Sequence, residues 1–359
     1  MKTLFILNPA AQHGECAKLT PVLKRLATAR NLDFEIAQTT HAGNAREIAE
    51  GAKAFDLVIS VGGDGTTHEI VNGLMKIAED ERPVYTALPC GSGSDFCRTI
   101  AMPLDFTIAF EEVMNGRIVT CDLGICNGEY YAYSASIGLD AEIATKAIEL
   151  SSTTNLSGNP LYMRAASICI FKNYKHRHLS YTIDDGDTQE QDLLMFCVNN
   201  GIYYGGGTKV APSAALDDGL LNYCFAENMP AAKAAASLGT MLLGKHEKLS
   251  KVHVGTGKKF VIDCDESICG QLDGEPMWTT HYEFSIEPAT IRYVVPNNSW
   301  VGKTDTSSES DCDTSDFDGI KDAGDCFEEL RSHASEEELQ DYAETFAAQN
   351  SAGGASQEE

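Results

Sequence analysis

One segment constrains the fold of this chain more than any other, the run Val58-Ile59-Ser60-Val61-Gly62-Gly63-Asp64-Gly65-Thr66. Its apolar part is typical of a buried strand, and the glycines mark where that strand ends. Glycine lets backbone N–H groups approach phosphate oxygens, and a helix that opens at Thr66 or Thr67 points its N-terminus at the same place. Asp64 repels phosphate, so its carboxylate fits a Mg²⁺ ligand or a base for an attacking hydroxyl. Taken alone, the segment is equally compatible with a glycine-rich turn that binds nothing.

A second glycine-rich loop favours the phosphate interpretation. The run Leu88-Pro89-Cys90-Gly91-Ser92-Gly93-Ser94-Asp95-Phe96 again follows a strand and again combines small residues with one carboxylate. Two such loops at neighbouring strand ends can hold a polyphosphate from both sides. We therefore predict that both loops form one nucleotide phosphate site.

The first 120 residues alternate short apolar runs with amphipathic stretches. Strands are predicted at residues 3–7, 33–37, 55–61 and 84–88, and helices at 19–30, 45–54 and 67–79. This alternation predicts an α/β domain over residues 1–120 with a parallel sheet covered on both faces. Ligands of such sheets bind at the carboxyl ends of the strands, where both glycine loops fall.

Residues 121–301 have a different character. Short strand-like segments and turn signals dominate, interrupted by helices predicted near 141–151, 162–174 and 230–243. The pattern predicts a mainly antiparallel, β-sandwich second domain, whose final strand could return to the first domain. The active site is then expected in the cleft between the two domains.

The distribution of charge separates a third region. The chain has a net charge of −26, and residues 302–359 hold 17 acidic and 3 basic residues. Low periodicity and high charge predict a disordered acidic tail there, with a capping-box pattern at Ser335-Glu336-Glu337-Glu338. Nucleic acid is not expected as a partner, because phosphate contacts require clustered Lys and Arg.

The cysteines and the apolar runs predict a location. None of the 12 cysteines forms a Cys-x-x-Cys pair, and most lie in apolar runs, as reduced cytoplasmic core thiols do. No run is long enough to span a bilayer. We expect a cytoplasmic protein that reaches the inner membrane face peripherally and transiently, and a homodimer remains open.

Several separate motifs together resemble the bacterial diacylglycerol kinase and lipid kinase family, relatives of the sphingosine kinases. Asn8-Pro9 is similar to the family's opening nucleotide loop, and Thr39 matches a nucleotide-contacting threonine. The run Gly62-Gly63-Asp64-Gly65-Thr66-Thr67-His68-Glu69 matches the signature loop and its helix. Gly91, Ser92 and Asp95 match the second loop, with Ser92 in the place of the usual threonine. Gln12 and His13 stand where glycine is usual, which predicts a reshaped first loop.

Two further motifs of this resemblance lie in the second domain. The run Ala214-Ala215-Leu216-Asp217-Asp218-Gly219-Leu220 is similar to a structural Mg²⁺ loop, in which Asp218 gives a carboxylate and Ala215 and Leu220 give backbone carbonyls. Without the family, a solvated turn is the simpler interpretation. The run Gln271-Leu272-Asp273-Gly274-Glu275 matches an element whose Glu275 is implied to be the proton acceptor, with Asp273 beside it.

The resemblance implies an ATP-dependent lipid kinase that uses Mg²⁺ and acts on a lipid alcohol, with diacylglycerol giving phosphatidic acid as the first expectation. Asp64 and Asp95 would organise Mg²⁺ and water, and Glu275 is preferred as the base over Asp64. A kinase similar to NAD kinase or another small-molecule kinase, and a catalytically silent regulator that binds lipid or nucleotide, are the alternatives. The basic cluster Lys172, Lys175, His176, Arg177 and His178 is interpreted either as a membrane contact or as a solvated helix end.

Overall fold

The structure is a computed structural model that describes residues 1–91, 93–154, 156, 158–242, 244–303 and 335. The predictions for Ser92, for the disordered tail and for the helix signal at 335–338 therefore concern residues that lie outside the described ranges, apart from Ser335. Among the described residues, no helix is long and apolar enough to cross a bilayer.

Parallel strands form the first domain. The strands pair in parallel in the order β2-β1-β3-β4, and every residue of β3 and β4 is buried, so helices cover both faces. The elements are β1 (Lys2–Leu7), α1 (Leu19–Ala29), β2 (Asp33–Gln38), α2 (Asn44–Glu50), β3 (Leu57–Gly62), α3 (Asp64–Leu74), β4 (Val84–Pro89), α4 (Asp95–Thr99) and α5 (Phe106–Asn115).

Two helices differ from the sequence-based prediction, α3 in its bounds and α5 in being present at all. Helix α3 begins at Asp64, three residues before the predicted start, because Gly63 is already its extended N-cap residue. It ends at Leu74 rather than near residue 79, and a short 3₁₀ turn at Glu79–Glu81 leads into β4. Helix α5 was not predicted, although its N-cap Asp105 accepts the backbone N–H groups of Thr107 and Ile108.

Antiparallel strands dominate the second domain. They enclose a core rich in aromatic side chains, including Phe196, Phe260 and Phe284, while α6, α7 and α8 pack on the core shared with the first domain. The elements are β5 (Arg117–Cys126), β6 (Glu129–Tyr131), β7 (Ala135–Gly138), α6 (Leu139–Thr153), α7 (Gly158–Phe171), β8 (Arg177–Ile183), β9 (Gln189–Asn199), β10 (Tyr203–Tyr204), β11 (Thr208–Lys209), β12 (Leu221–Glu227), α8 (Ala231–Leu242), β13 (Val252–Gly257), β14 (Lys259–Leu272) and β15 (Glu275–Val295).

Strand β15 joins the two domains. Its first part pairs with β14, its second part from Phe284 onward pairs with β5, and Tyr293 near its end pairs in parallel with Tyr85 of β4. The pairing of β15 with β5 is irregular between Glu287 and Ile291, where Ala289 has a φ of 51° and donates its N–H to Asp122.

Candidate active site

The two glycine loops contact each other directly. A Cβ atom added to Gly91 would lie 2.7 Å from the Cα atom of Gly63. The contact follows from the sheet, because Gly62 at the end of β3 pairs with Pro89 at the end of β4. Backbone from both loops therefore lines one place at the carboxyl edge of the parallel sheet.

The loop that follows β1, residues 8–13, contacts the two glycine loops through two side chains. Asn8 donates from Nδ2 to Thr66 Oγ1 over 3.1 Å, and Gln12 donates from Nε2 to the carbonyl of Gly91 over 3.0 Å. Pro9 lies in the turn between them. Gln12 and His13 have φ angles of 50° and 54°, the left-handed region that glycine adopts at lower cost, so the loop keeps a glycine-like path with side chains added.

Three other residues that were predicted to bind nucleotide make contacts within the protein next to the loops. Thr39 donates its backbone N–H to the carbonyl of Leu7, and the hydroxyl of Thr67 accepts from Tyr85 inside the core. The carboxylate of Glu69 accepts the backbone N–H groups of Gly43 at 2.8 Å and Ala45 at 3.0 Å, at the start of α2.

Asp64 lies in the first turn of α3, where its carboxylate meets the second loop. Its Oδ1 accepts the backbone N–H of Phe96 over 3.2 Å. A Cβ atom on Gly93 would lie 3.2 Å from Asp64 Oδ2 and 3.1 Å from Asp95 Oδ2, so both carboxylates face one point. Burial, and then the charge of Asp95, raise the pKa of Asp64 to about 7. The site thus contains a carboxylate that can exchange a proton near neutral pH.

The carboxylate of Asp95 connects the two domains. It accepts the backbone N–H groups of Gly206 over 2.9 Å and Gly207 over 2.7 Å, in the loop between β10 and β11. Arg98 lies against the same loop and donates from Nε to the carbonyl of Gly93. No site residue was predicted in this loop, although the run Tyr203-Tyr204-Gly205-Gly206-Gly207 is rich in glycine like the loops of the first domain.

Asp273 is fully buried and holds the turn that carries Glu275. Its Oδ1 accepts the N–H groups of Tyr133 and Ser134, and its Oδ2 accepts that of Ala132 over 2.7 Å. Its φ of 50° turns the backbone inward. These contacts tie the turn between β14 and β15 to the backbone of residues 132–134.

Glu275 lies over the start of α3. A Cβ atom on Gly65 would lie 2.2 Å from Glu275 Oε1, although the glutamate as a whole is exposed. Burial of the carboxyl group raises the pKa of Glu275, and the neighbouring His68 opposes that rise. His68 itself lies between Asp273 and Glu129, with 3.4 Å from Nδ1 to Asp273 and 3.4 Å from Nε2 to Glu129.

An apolar cavity opens onto Asp64 and Asp95. It has a volume of about 100 Å³, and its wall combines the carboxylates of Asp64, Asp95, Asp140 and Asp273 with apolar side chains from three helices. The helix residues are Ile143 and Ala144 of α6, Tyr162, Met163 and Ala166 of α7, and Leu238 and Met241 of α8. In the described part of the chain, Asp273 and Gly274 line the cavity and Glu275 does not. A molecule with an apolar tail and a polar end at Asp64 fits this shape.

The predicted magnesium loop packs against Asp122 of β5. Asp218 accepts the N–H of Leu220 over 2.9 Å, and the buried Asp122 accepts that of Gly219. Burial and the neighbouring carboxylates raise the pKa of both Asp217 and Asp218, which a bound cation would relieve. Among the described residues, no three His, Cys, Asp or Glu side chains cluster to hold a metal by themselves, so backbone carbonyls such as those of Ala215 and Leu220 would have to complete the site.

The basic cluster is partly neutralised within the protein. Arg177 pairs with Glu142 of α6, and His178 contacts Asp192 with 3.0 Å between Nδ1 and Oδ1. This pairing weakens the interpretation of the cluster as an electrostatic membrane contact.

A two-domain fold with glycine loops, neighbouring carboxylates and an apolar cavity defines the class of kinases related to the lipid kinases, and comparison with known proteins agrees. Residues 2–126 match the diacylglycerol kinase catalytic domain, and residues 133–295 match the YegS C-terminal NAD kinase beta sandwich-like domain. The chain belongs to the bacterial diacylglycerol kinase and YegS-like lipid kinase family.

The matches to individual relatives extend over nearly the whole length of each relative. The "Probable lipid kinase YegS-like" protein of Yersinia pestis is 30% identical over 305 residues, which is 82% of this chain and 97% of the relative. The diacylglycerol kinase of Bacillus subtilis is 29% identical over 283 residues, covering 76% and 91%. A crystal structure of a diacylglycerol kinase from Bacillus anthracis has a TM-score of 0.60 at 21% identity, covering 82% and 96%, and this similarity shows the fold.

Proposed function

We propose that the protein transfers the γ-phosphoryl group of ATP to the hydroxyl of a lipid alcohol, with diacylglycerol as the first candidate and phosphatidic acid as its product. One observation carries the proposal. The apolar cavity between α6, α7 and α8 ends at Asp64 and Asp95, beside the two glycine loops. An acceptor whose tail fills the cavity presents its hydroxyl to the phosphate site.

Each group of the site has a part in this reaction. The backbone of the loops at Gly62, Gly63 and Gly91 binds the triphosphate, and the start of α3 favours its negative charge. Asp64 takes the proton of the acceptor hydroxyl, because it lines the cavity and its pKa lies near 7. Asp95 would help to hold a Mg²⁺ ion brought by the triphosphate, which would neutralise phosphate charge, while Asp64 stays free to accept the proton.

Glu275, which the family resemblance implied as the preferred base, is here the second candidate. Its carboxylate lies over Gly65, the residue after Asp64, but Glu275 is exposed and is not part of the described cavity wall. On this geometry Glu275 orients the acceptor or an associated water at the rim. The variants Asp64→Asn and Glu275→Gln distinguish which of the two carboxylates is the base.

A panel of acceptors tests the proposed function. Purified protein, labelled γ-phosphate ATP and Mg²⁺ are incubated with diacylglycerol, sphingosine, phosphatidylglycerol, a total lipid extract or NAD, and products are identified by mass spectrometry. The expected result is a phosphorylated lipid and no NADP. Label in NADP alone would support the small-molecule kinase, and ATP binding with no transfer to any acceptor would support a silent regulator.

A further inference from the structure

His68 is a buried side chain that the phosphoryl transfer itself does not use. It lies one turn after Asp64 on α3, and its exposed fraction is 6%. Both ring nitrogens face carboxylates, at 3.4 Å from Asp273 and 3.4 Å from Glu129. Those carboxylates belong to the second domain, on the turn between β14 and β15 and on β6. The ring therefore connects the helix of the phosphate loop to two elements of the acceptor side.

The partners of His68 are fixed in turn. Asp273 is held by three backbone N–H groups, and Glu129 also pairs with Arg46 of α2. The charges alternate along the line Arg46, Glu129, His68 and Asp273. Asp273 is fully buried and Glu129 is partly exposed, so a protonated His68 is the cation beside the buried Asp273 carboxylate.

We propose that protonated His68 is a positioning residue that holds the turn bearing Glu275 against α3, and so sets the acceptor side of the cleft relative to Asp64. The proposal rests on the proposed function for its effect on transfer, but the contact itself does not depend on it. Replacing the ring with a neutral side chain loosens the turn, because Asp273 and Glu129 then lose the charged contact that joins them to α3. The nucleotide loops at Gly63 and Gly91 do not contact the turn through His68, so ATP binding is unaffected.

The protonation of the ring gives the proposal a pH signature. The charged groups that face it are Asp273 and Glu129, with Arg46 behind Glu129 and Glu275 beside the turn. Burial opposes the charge on the ring, but the two carboxylates outweigh it and raise the pKa of His68 to about 9. A raised pKa means that the contact is present at neutral pH and is lost as the pH rises through about 9.

One experiment reads the contact without any kinase assay. Histidine ring signals of the full chain are followed by NMR from pH 5 to 10, and the signal that disappears in His68→Asn is assigned to His68. The expected signal titrates near pH 9, and the backbone amides of Ala132, Tyr133 and Ser134 exchange hydrogen at least about tenfold faster in His68→Asn. A ring that titrates near 6.5, or unchanged exchange, overturns the proposal whether or not the chain is a lipid kinase.

The kinetic arm measures positioning in the reaction. For His68→Asn and for Glu129→Gln, which keeps the shape of the glutamate, kcat/KM for the lipid acceptor is expected to fall at least about tenfold, with the KM for ATP within about twofold of wild type. His41→Asn, at an exposed histidine of the same domain, is the matched control and should behave like wild type. A parallel rise in the KM for ATP would place His68 in nucleotide binding and contradict the proposal, as would wild-type kcat/KM in both variants.

Discussion

The Oε1 atom of Glu275 lies so close to Gly65 that a Cβ atom on this glycine would be 2.2 Å from it. The two residues are 210 positions apart, and they bring the last long strand of the second domain onto the first turn of α3. The contact places a carboxylate from each domain, those of Asp64 and Glu275, at the same end of one helix.

Gly65→Ala should therefore impair activity while leaving stability intact. The new Cβ atom displaces only the far end of the flexible Glu275 side chain, so the free energy of unfolding should change by less than about 1 kcal/mol. Turnover should fall about tenfold because the Glu275 carboxylate is moved. The control is Gly73→Ala on the same helix, where the Cβ atom would meet the backbone carbonyl of Arg46 at 2.4 Å and Ala49 Cβ at 2.7 Å. That variant should lose about 1–3 kcal/mol by urea denaturation.

Asp64→Asn should abolish transfer and stabilise the protein above neutral pH. The raised pKa means that folded Asp64 binds its proton more tightly than the unfolded chain, so ionising it between about pH 4 and pH 7 lowers stability. The variant lacks that loss, and its Tm should exceed that of wild type at pH 8 but not at pH 4.

The pH profile identifies the base. If Asp64 accepts the proton, kcat/KM of the wild type rises with pH up to about 7 and then levels. Asp64→Asn should then lower kcat at least about 10³-fold, and Glu275→Gln much less. If Glu275→Gln lowered kcat more than Asp64→Asn, and wild-type kcat/KM levelled off well below pH 7, Glu275 would be the base instead.

Asp95→Asn should destabilise the junction between the domains. The carboxylate accepts two backbone N–H groups, from Gly206 and Gly207, whereas an amide presents one acceptor and an NH₂ group that cannot accept. One buried N–H then loses its partner, which costs about 1–3 kcal/mol of unfolding free energy. Asp187→Asn, in an exposed turn, is the control, and equal stability of the two variants would disprove the structural role of Asp95.

Adding Mg²⁺ in the absence of nucleotide should raise Tm through the loop at Asp218. Binding to the folded state alone stabilises it by about 2.7 kcal/mol at a hundredfold excess over the dissociation constant. The shift should vanish with EDTA and in Asp218→Ala, and it should persist in Asp187→Ala. A shift that survives Asp218→Ala would exclude this loop as the metal site.

The contact between the glycine loops was accessible from sequence because it depends on local rules. Gly63 and Gly91 each follow an apolar strand, and strands that are consecutive in such a sheet place their carboxyl ends together. The resemblance also marked Gln12 and His13 as departures from glycine in the loop after β1, and both residues have the positive φ angles that glycine adopts at lower cost.

Contacts that depend on the path of the whole sheet could not be predicted from the sequence. Nothing near Asp95 in the sequence indicates that Gly206 and Gly207 will bind its carboxylate, because that contact requires the second domain to fold back over the first. The same holds for Asp273, whose buried side chain accepts three backbone N–H groups from residues 132–134. The apolar cavity arises from three helices whose sequence patterns show burial but not the space between them.

Transfer of labelled γ-phosphate to a chloroform-extractable product tests the proposed lipid kinase activity most directly. Wild type and Asp64→Asn are compared with diacylglycerol in mixed micelles, at pH 8 and saturating ATP and Mg²⁺. We predict phosphatidic acid from the wild type and at least about 10³-fold less from the variant. Label that stays in the aqueous phase with every lipid acceptor, or equal transfer by the two proteins, would contradict it.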